Sequence, residues 1–125
     1  MNNPPEAPFD ALEKIFHEPK RLAIMSALCA AESELTFIEL KEACDLTDGN
    51  LNRHLKVLEE NRAVTIRKRF VHKKPCTSVK ITDHGLKRFS QYLDALTEVI
   101  DAAREAMPLP QPAKRGIPFG RTAQA

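Results

Sequence analysis

The chain has 125 residues, 42% of them hydrophobic and 29% charged, with a formal net charge of +2. That length suits one domain with a modest core, which oligomerisation often supplements. No apolar run approaches the ~20 residues that cross a bilayer, and MNNPPEAPFDALEK lacks a basic stretch followed by an apolar one; neither a membrane span nor a secretory signal is expected, and the cytoplasm is the expected location.

Residues 1–8 hold three prolines and are expected to form a disordered tail. Phe9, Leu12, Ile15 and Phe16 recur at helical spacing, predicting a short helix over 9–17 that breaks at Glu18-Pro19. Pro19 suits the first position of a second helix, where its missing N–H costs nothing. That helix should run to about Ala31, with Leu22, Met25 and Leu28 or Cys29 facing inward. Thr36 and Glu39 spell a capping box that opens a third helix, with Leu35 as its staple and Phe37, Leu40 and Cys44 on one face. Asp45-Leu46-Thr47 forms the turn, and Thr47 or Asp48 caps a fourth helix with a Leu51, Leu55 and Leu58 stripe. Asn61 is the expected left-handed residue at its end.

Charge is distributed unevenly. From Asn61 to Thr82 the chain carries Arg62, Arg67, Lys68, Arg69, Lys73, Lys74 and Lys80 with no acid, a local +7 that leaves −5 for the remainder. Such asymmetry points to one edge that faces a polyanion. Within this stretch Val64, Ile66, Lys68 and Phe70 alternate with Thr65, Arg67 and Arg69, and Val79 with Ile81 marks a second strand. His72-Lys73-Lys74-Pro75 is read as a loop longer than a tight turn, projecting as a flexible cationic tip.

Thr82 to about Met107 is the longest predicted helix. Leu86, Phe89, Leu93, Leu96, Ile100, Ala103 and Met107 advance in alternating steps of 3 and 4, a heptad seam of three repeats. Its expected partner is the same helix of a second copy, with Phe9, Leu12 and Phe16 in the same interface; the alternative is that the seam packs on the chain's own core. The ordered unit is thus expected over 9–107, followed by a Pro-rich, basic and disordered tail over 108–125.

A short helix, a tight turn and a helix with a polar start, feeding a cationic hairpin, is an arrangement that places a helix in the DNA major groove and charge on the flanking phosphates. Enzyme classes find little footing. There is no Gly-rich phosphate loop, H-E-x-x-H or G-x-S-x-G motif, and the only acid–base neighbours, His17 and Glu18, sit at a helix break. The three cysteines, Cys29, Cys44 and Cys76, have neither CxxC nor CxC spacing. Cys29 and Cys44 are read as buried structural thiols, and no metal site or cofactor is expected. Cys76 sits in the cationic hairpin, where a redox role is the alternative to a plain thiol. His54 is read as a half-buried side chain bonded to a neighbouring element. The alternative to DNA binding is a protein–protein module that uses the same shape to dock an acidic partner.

The segments HEPKRLAIMSAL (17–28), TFIELKEACDLTDGNLNRHLKVLEENRAV (36–64) and KKPCTSVKITDHG (73–85) carry a resemblance. In combination they are similar to the winged-helix transcriptional regulators of the MarR/ArsR-like group, in particular the small winged helix DNA-binding domain subfamily. The resemblance implies a mainly α fold with a small β-hairpin, a recognition helix over 47–61, a wing over 70–77 and a long C-terminal dimerisation helix. It implies that Asn50, Asn52 and Arg53 face bases, where amides suit adenine and guanidinium suits guanine. Thr47 and Lys56 would hold phosphates, as would Arg67 and Arg69 if their strand face turns to DNA. Asp48 would repel phosphate and is better read as a cap. His72, Lys73 and Lys74 would lie along the adjacent minor groove. The implied protein is a homodimeric repressor on a pseudo-palindromic DNA operator, with half-sites roughly one helical turn (~10 bp) or a multiple apart. An effector, if a small molecule, would bind between the DNA-binding lobe and the long helix.

Overall fold

The computed structural model describes residues 12–108. Phe9, the tail over 1–8 and all of the C-terminal tail but Pro108 lie outside them. The elements are α1 (Pro19–Ala30), β1 (Glu34–Thr36), α2 (Phe37–Cys44), α3 (Asp48–Glu60), β2 (Val64–Val71), β3 (Lys74–Ile81) and α4 (Asp83–Ala106). This is the mainly α, winged helix-turn-helix architecture read from the sequence, with the long C-terminal helix in place. No described helix is long and apolar enough to cross a membrane.

Local chemistry explains most of the boundaries. Glu18, just ahead of Pro19, caps α1 by accepting from the Lys20 and Arg21 amides, each at 2.8 Å. Thr36 and Glu39 form the full capping box of α2. Asp45 takes the left-handed conformation (φ 54°) that ends α2, and Thr47 Oγ1 accepts from Asn50 N at 3.2 Å to start α3.

Four local expectations are corrected. The described part of the helix expected over 9–17 is a single turn, closed by bonds from Phe16 N and His17 N to Glu13 O. At the end of α3, Asn61 keeps φ at −93° and Arg62 is the left-handed residue, at φ 62°. Ala63 N bonds Leu58 O and Arg62 N bonds Glu59 O, the pairing of a Schellman motif with arginine where glycine is usual. The hairpin tip is not a long loop. β2 ends at Val71 and β3 starts at Lys74, so His72 and Lys73 alone make the turn, with φ of 52° and 66°. Two successive positive φ angles are the mark of a type I′ turn, whose twist matches that of the strands. Lastly, Cys29 is exposed on α1, where Ile24, Met25 and Leu28 face inward instead.

The sheet is antiparallel in the order β1-β3-β2. β1 pairs with β3 only at Ser78, Val79 and Lys80, whereas β2 and β3 stay paired out to Val71 and Lys74. The outer half of the hairpin is therefore a two-stranded ribbon that runs past the sheet. Pro75 lies in this outer half, past the last residue that β1 pairs, where the edge is open and a missing N–H is tolerated.

One core joins all layers: Phe16, Ile24, Met25, Leu28, Leu40, Leu51, Leu55, Leu58, Val64, Val79, Phe89 and Tyr92 are at most 2% exposed. Phe16, Phe89 and Tyr92 form an aromatic cluster with ring centroids 5.3–5.9 Å apart. Phe16 and Phe89 thus belong to the chain's own core, a correction to their assignment to a dimer interface. Leu12 and Leu96 are half-buried against the same core. Leu86, Leu93, Ile100 and Met107 remain exposed on α4. Spaced seven apart, they drift only ~20° per step on a helix and make one stripe beside the buried face.

Candidate nucleic-acid interface

The burial of Leu51, Leu55 and Leu58 turns the opposite side of α3 to solvent, and Asn50, Asn52, Arg53 and Lys56 are all exposed there. Arg53 donates to Asn50 Oδ1 at 3.0 Å, so the two side chains hold one another one turn apart. Thr47 is exposed; its hydroxyl accepts from the helix start and retains its own proton for an outside acceptor. Asp48 pairs with Lys41 of α2 at 2.8 Å. That contact ties the two helices of the pair together and offsets an acidic charge on the exposed face. Gly49 is open, with nothing within 4 Å of where a Cβ would stand.

The hairpin presents two faces. Val64, Ile66, Lys68 and Phe70 share one, with Pro75, Thr77, Val79 and Ile81 opposite them in register. Arg67 and Arg69 share the other with Lys74, Cys76, Ser78 and Lys80. The first face is the one that meets α3: Ile66 and Lys68 line an open cleft with Asn52, Lys56 and Glu59. Lys68, absent from the sequence-derived set, is thus beside the polar face of α3, while Arg67 and Arg69 point away from that cleft. Strand alternation contained this signal, but which face meets α3 depends on the packing of the hairpin. His72 and Lys73 occupy the tip, with Lys74 at the start of β3, all exposed.

Behind the exposed face, His54 is buried at 6% exposure. Its Nδ1 lies 3.1 Å from the Arg21 guanidinium, which only donates, so Nδ1 accepts and the proton of the neutral ring sits on Nε2. Arg21 also donates to Ile15 O at 2.7 Å, and the Glu18 carboxylate stands 4.0 Å from His54. One guanidinium thereby joins the N-terminal turn and α1 to the back of α3. This is the neighbour-bonded histidine expected from the sequence, with partners that sequence alone did not identify.

Burial pushes the His54 pKa below 6.5, with Arg21, Arg53 and Lys20 adding to the effect against the opposing pull of Glu18. Glu18 is itself raised by burial but lowered overall from 4.5 by the Arg21 amide, by the charge of His54 when that ring is protonated, by the Lys20 amide and by the Arg21 charge. An unfolded histidine titrates near ~6.5. Below that pH the unfolded chain takes up a proton that folded His54 resists, so the stability contributed here falls with acidification. A lower urea midpoint at pH 5.5 than at pH 7.5 is expected, with the difference reduced in His54→Gln. Equal midpoints for the native chain would contradict this.

Cys44 is buried, which pushes its thiol above 9.0 and makes it a poor nucleophile. Among the described residues no group of three or more His, Cys, Asp or Glu is placed to hold a metal.

Comparisons with known proteins agree with this geometry. Residues 20–100 match the family model described as winged helix DNA-binding domain. An uncharacterized protein of Methanocaldococcus jannaschii is 40% identical over 80 residues, covering 64% of this chain and 86% of that protein. The transcriptional regulator homologue protein of Pyrococcus horikoshii OT3 is 34% identical and superposes with a TM-score of 0.69, over 76% of this chain and 94% of that one. Staphylococcus aureus MarR, solved in complex with salicylate and kanamycin, is 17% identical with a TM-score of 0.62 over 82% of this chain and 70% of that one, a likeness of fold.

Proposed function

From a chain that belongs to the winged helix DNA-binding domain family and has the fold of MarR-type transcriptional regulators, we propose a homodimeric repressor that reads a pseudo-palindromic operator. The observation that carries this reading is the shared cleft, where Asn52 and Lys56 of α3 stand with Lys68 of the hairpin. A duplex seated on α3 would meet polar side chains suited to base edges and, beside them, the cationic ribbon suited to phosphate. Asn50, Asn52 and Arg53 are the base readers. Thr47, Lys56, Lys68, His72, Lys73 and Lys74 hold the backbone, and Arg67 and Arg69 add to the positive field from the far side of the ribbon.

Repression follows from occupying the operator. The exposed stripe of Leu86, Leu93, Ile100 and Met107 on α4 would supply an apolar face for the second copy, joined by Leu12 and Leu96, which are half-buried against the chain's own core. A small-molecule effector belongs to the same reading, by analogy with the ligand-bound staphylococcal MarR, between α4 and the DNA-binding lobe.

Selection of bound fragments from the source genome tests the reading. An inverted repeat should emerge, and Arg53→Ala should weaken specific binding by about 1–3 kcal/mol and relax choice at one base pair per half-site. Recovery of fragments without common sequence, or unchanged specificity in Arg53→Ala, would argue against base reading by α3. Sedimentation of the native chain should give a dimer, and Leu93→Asp with Ile100→Asp should give monomer or insoluble protein. A well-folded native monomer would remove the α4 interface.

A further inference from the structure

The ribbon carries an apolar feature that charge does not explain. Phe70 is 73% exposed, the largest exposure among the big apolar side chains of the described residues. It is two residues from the tip, directly across from Pro75. Both lie in the part of the hairpin beyond β1, where it is a two-stranded ribbon, and both are exposed. An exposed phenylalanine on a strand of a water-soluble domain costs solvation, and its packing here does nothing for the core.

Its surroundings indicate what covers it. Phe70 stands on the Ile66 and Lys68 face, the face that borders the α3 cleft, so it points to the side where a duplex seated on α3 would lie. Lys68 precedes it on that face, Lys73 follows in the turn, and Arg69 and Lys74 flank it on the reverse face. An apolar ring ringed by cations suits a surface with apolar sugars and base edges between two rows of phosphate. The two-residue turn keeps the ribbon narrow and stiff, and a duplex held by its major groove on α3 offers the neighbouring minor groove to a hairpin beside that helix. Inserted apolar side chains are an established means of contacting the minor groove and its base steps.

We infer that Phe70, backed by Pro75, is an apolar minor-groove contact of the wing, favouring A·T-rich DNA there. The inference rests on the DNA-binding reading above and adds a residue and a preference to it. The guanine 2-amino group projects into the minor groove and would obstruct the ring, whereas A·T pairs leave that floor clear. Replacing guanine by inosine removes that amino group and leaves the major-groove edge unchanged.

The test measures affinity of the full-length native chain, Phe70→Ala and Phe70→Leu for one mixed-sequence duplex and its inosine-substituted twin, over a salt series. The ring's exposure makes each variant compatible with the fold. The native chain should bind the inosine duplex several-fold more tightly than the guanine duplex. Phe70→Ala should bind roughly tenfold more weakly, lose the inosine preference and keep the native salt slope, since no charge is removed. Phe70→Leu should retain part of both. Native-like affinity in Phe70→Ala, or an inosine preference that survives the substitution, would overturn the minor-groove assignment while leaving DNA binding intact. A native chain that binds neither duplex would instead overturn the DNA-binding reading and this inference together.

Discussion

Gly85→Ala should destabilise the domain by about 3 kcal/mol or more, among the largest effects expected of a single methyl. Gly85 lies in the first turn of α4, buried against the backbone of Ala63, in the turn that joins α3 to β2. A Cβ there would stand 2.1 Å from the Ala63 carbonyl oxygen and 2.7 Å from the Ala63 Cα, and both obstacles are backbone. Neither can swing aside as a side chain would. The same Ala63 carbonyl accepts from Thr82 N at 3.0 Å, and Thr82 Oγ1 donates to Arg62 O at 2.7 Å while accepting from Gly85 N at 2.7 Å. Moving Ala63 to admit a methyl would disturb the cap of α4 and the Schellman turn of α3 together. A thermal melt should show Tm lower by more than about 10 °C. An unchanged Tm would mean that α4 does not dock this closely on the turn at Ala63.

The second large effect is on binding. Lys73→Ala combined with Lys74→Ala should weaken every duplex alike and make the plot of log K against log salt less steep by about 1.8, the loss of two phosphate contacts. Stability should hardly change, because both side chains are exposed at the tip. This pattern would separate a positioning role from base reading: on the proposed reading Arg53→Ala should alter sequence choice, whereas the lysine pair should alter affinity without altering choice. A double variant with the native salt slope would take the wing tip off the phosphates.

Where the chain's own chemistry is local, the sequence was legible. The capping box at Thr36 and Glu39, Pro19 at the first position of a helix, the Leu51, Leu55 and Leu58 stripe and the helix opened at Thr82 all depend on neighbours within a turn or two. The polar side of α3 followed from the same periodicity. The features that escaped depend on distant partners or on backbone that the residue types do not announce. The three residues of β1 are too short to show alternation and become a strand only by pairing with β3. The His72-Lys73 turn and the left-handed Arg62 lack the glycine or asparagine that ordinarily marks such backbone.

The heptad seam shows a different limit. Its spacing was real, but one helix can serve two surfaces: Phe89 and Leu96 pack on the chain's own core while Leu86, Leu93 and Ile100 stay outside. Spacing alone does not say which partner each residue meets. Lys68 and Phe70, proposed above as interface residues, show a related limit. Alternation puts them on one face with Val64 and Ile66 but does not say what that face meets; Val64 is buried and Ile66 half-buried, whereas Lys68 and Phe70 stay exposed.

The claim that a duplex touches α3 and the wing at once is tested most directly by titrating the full-length chain against a fluorescent mixed-sequence duplex of about 30 bp across a salt series, with Asn52→Ala, Lys68→Ala and their double variant alongside. Tight binding at low salt that weakens steeply as salt rises is expected. Lys68→Ala should reduce the slope, Asn52→Ala should leave it unchanged, and both should lose affinity for a selected operator. No binding of any duplex at low salt, or binding indifferent to both substitutions, would contradict it.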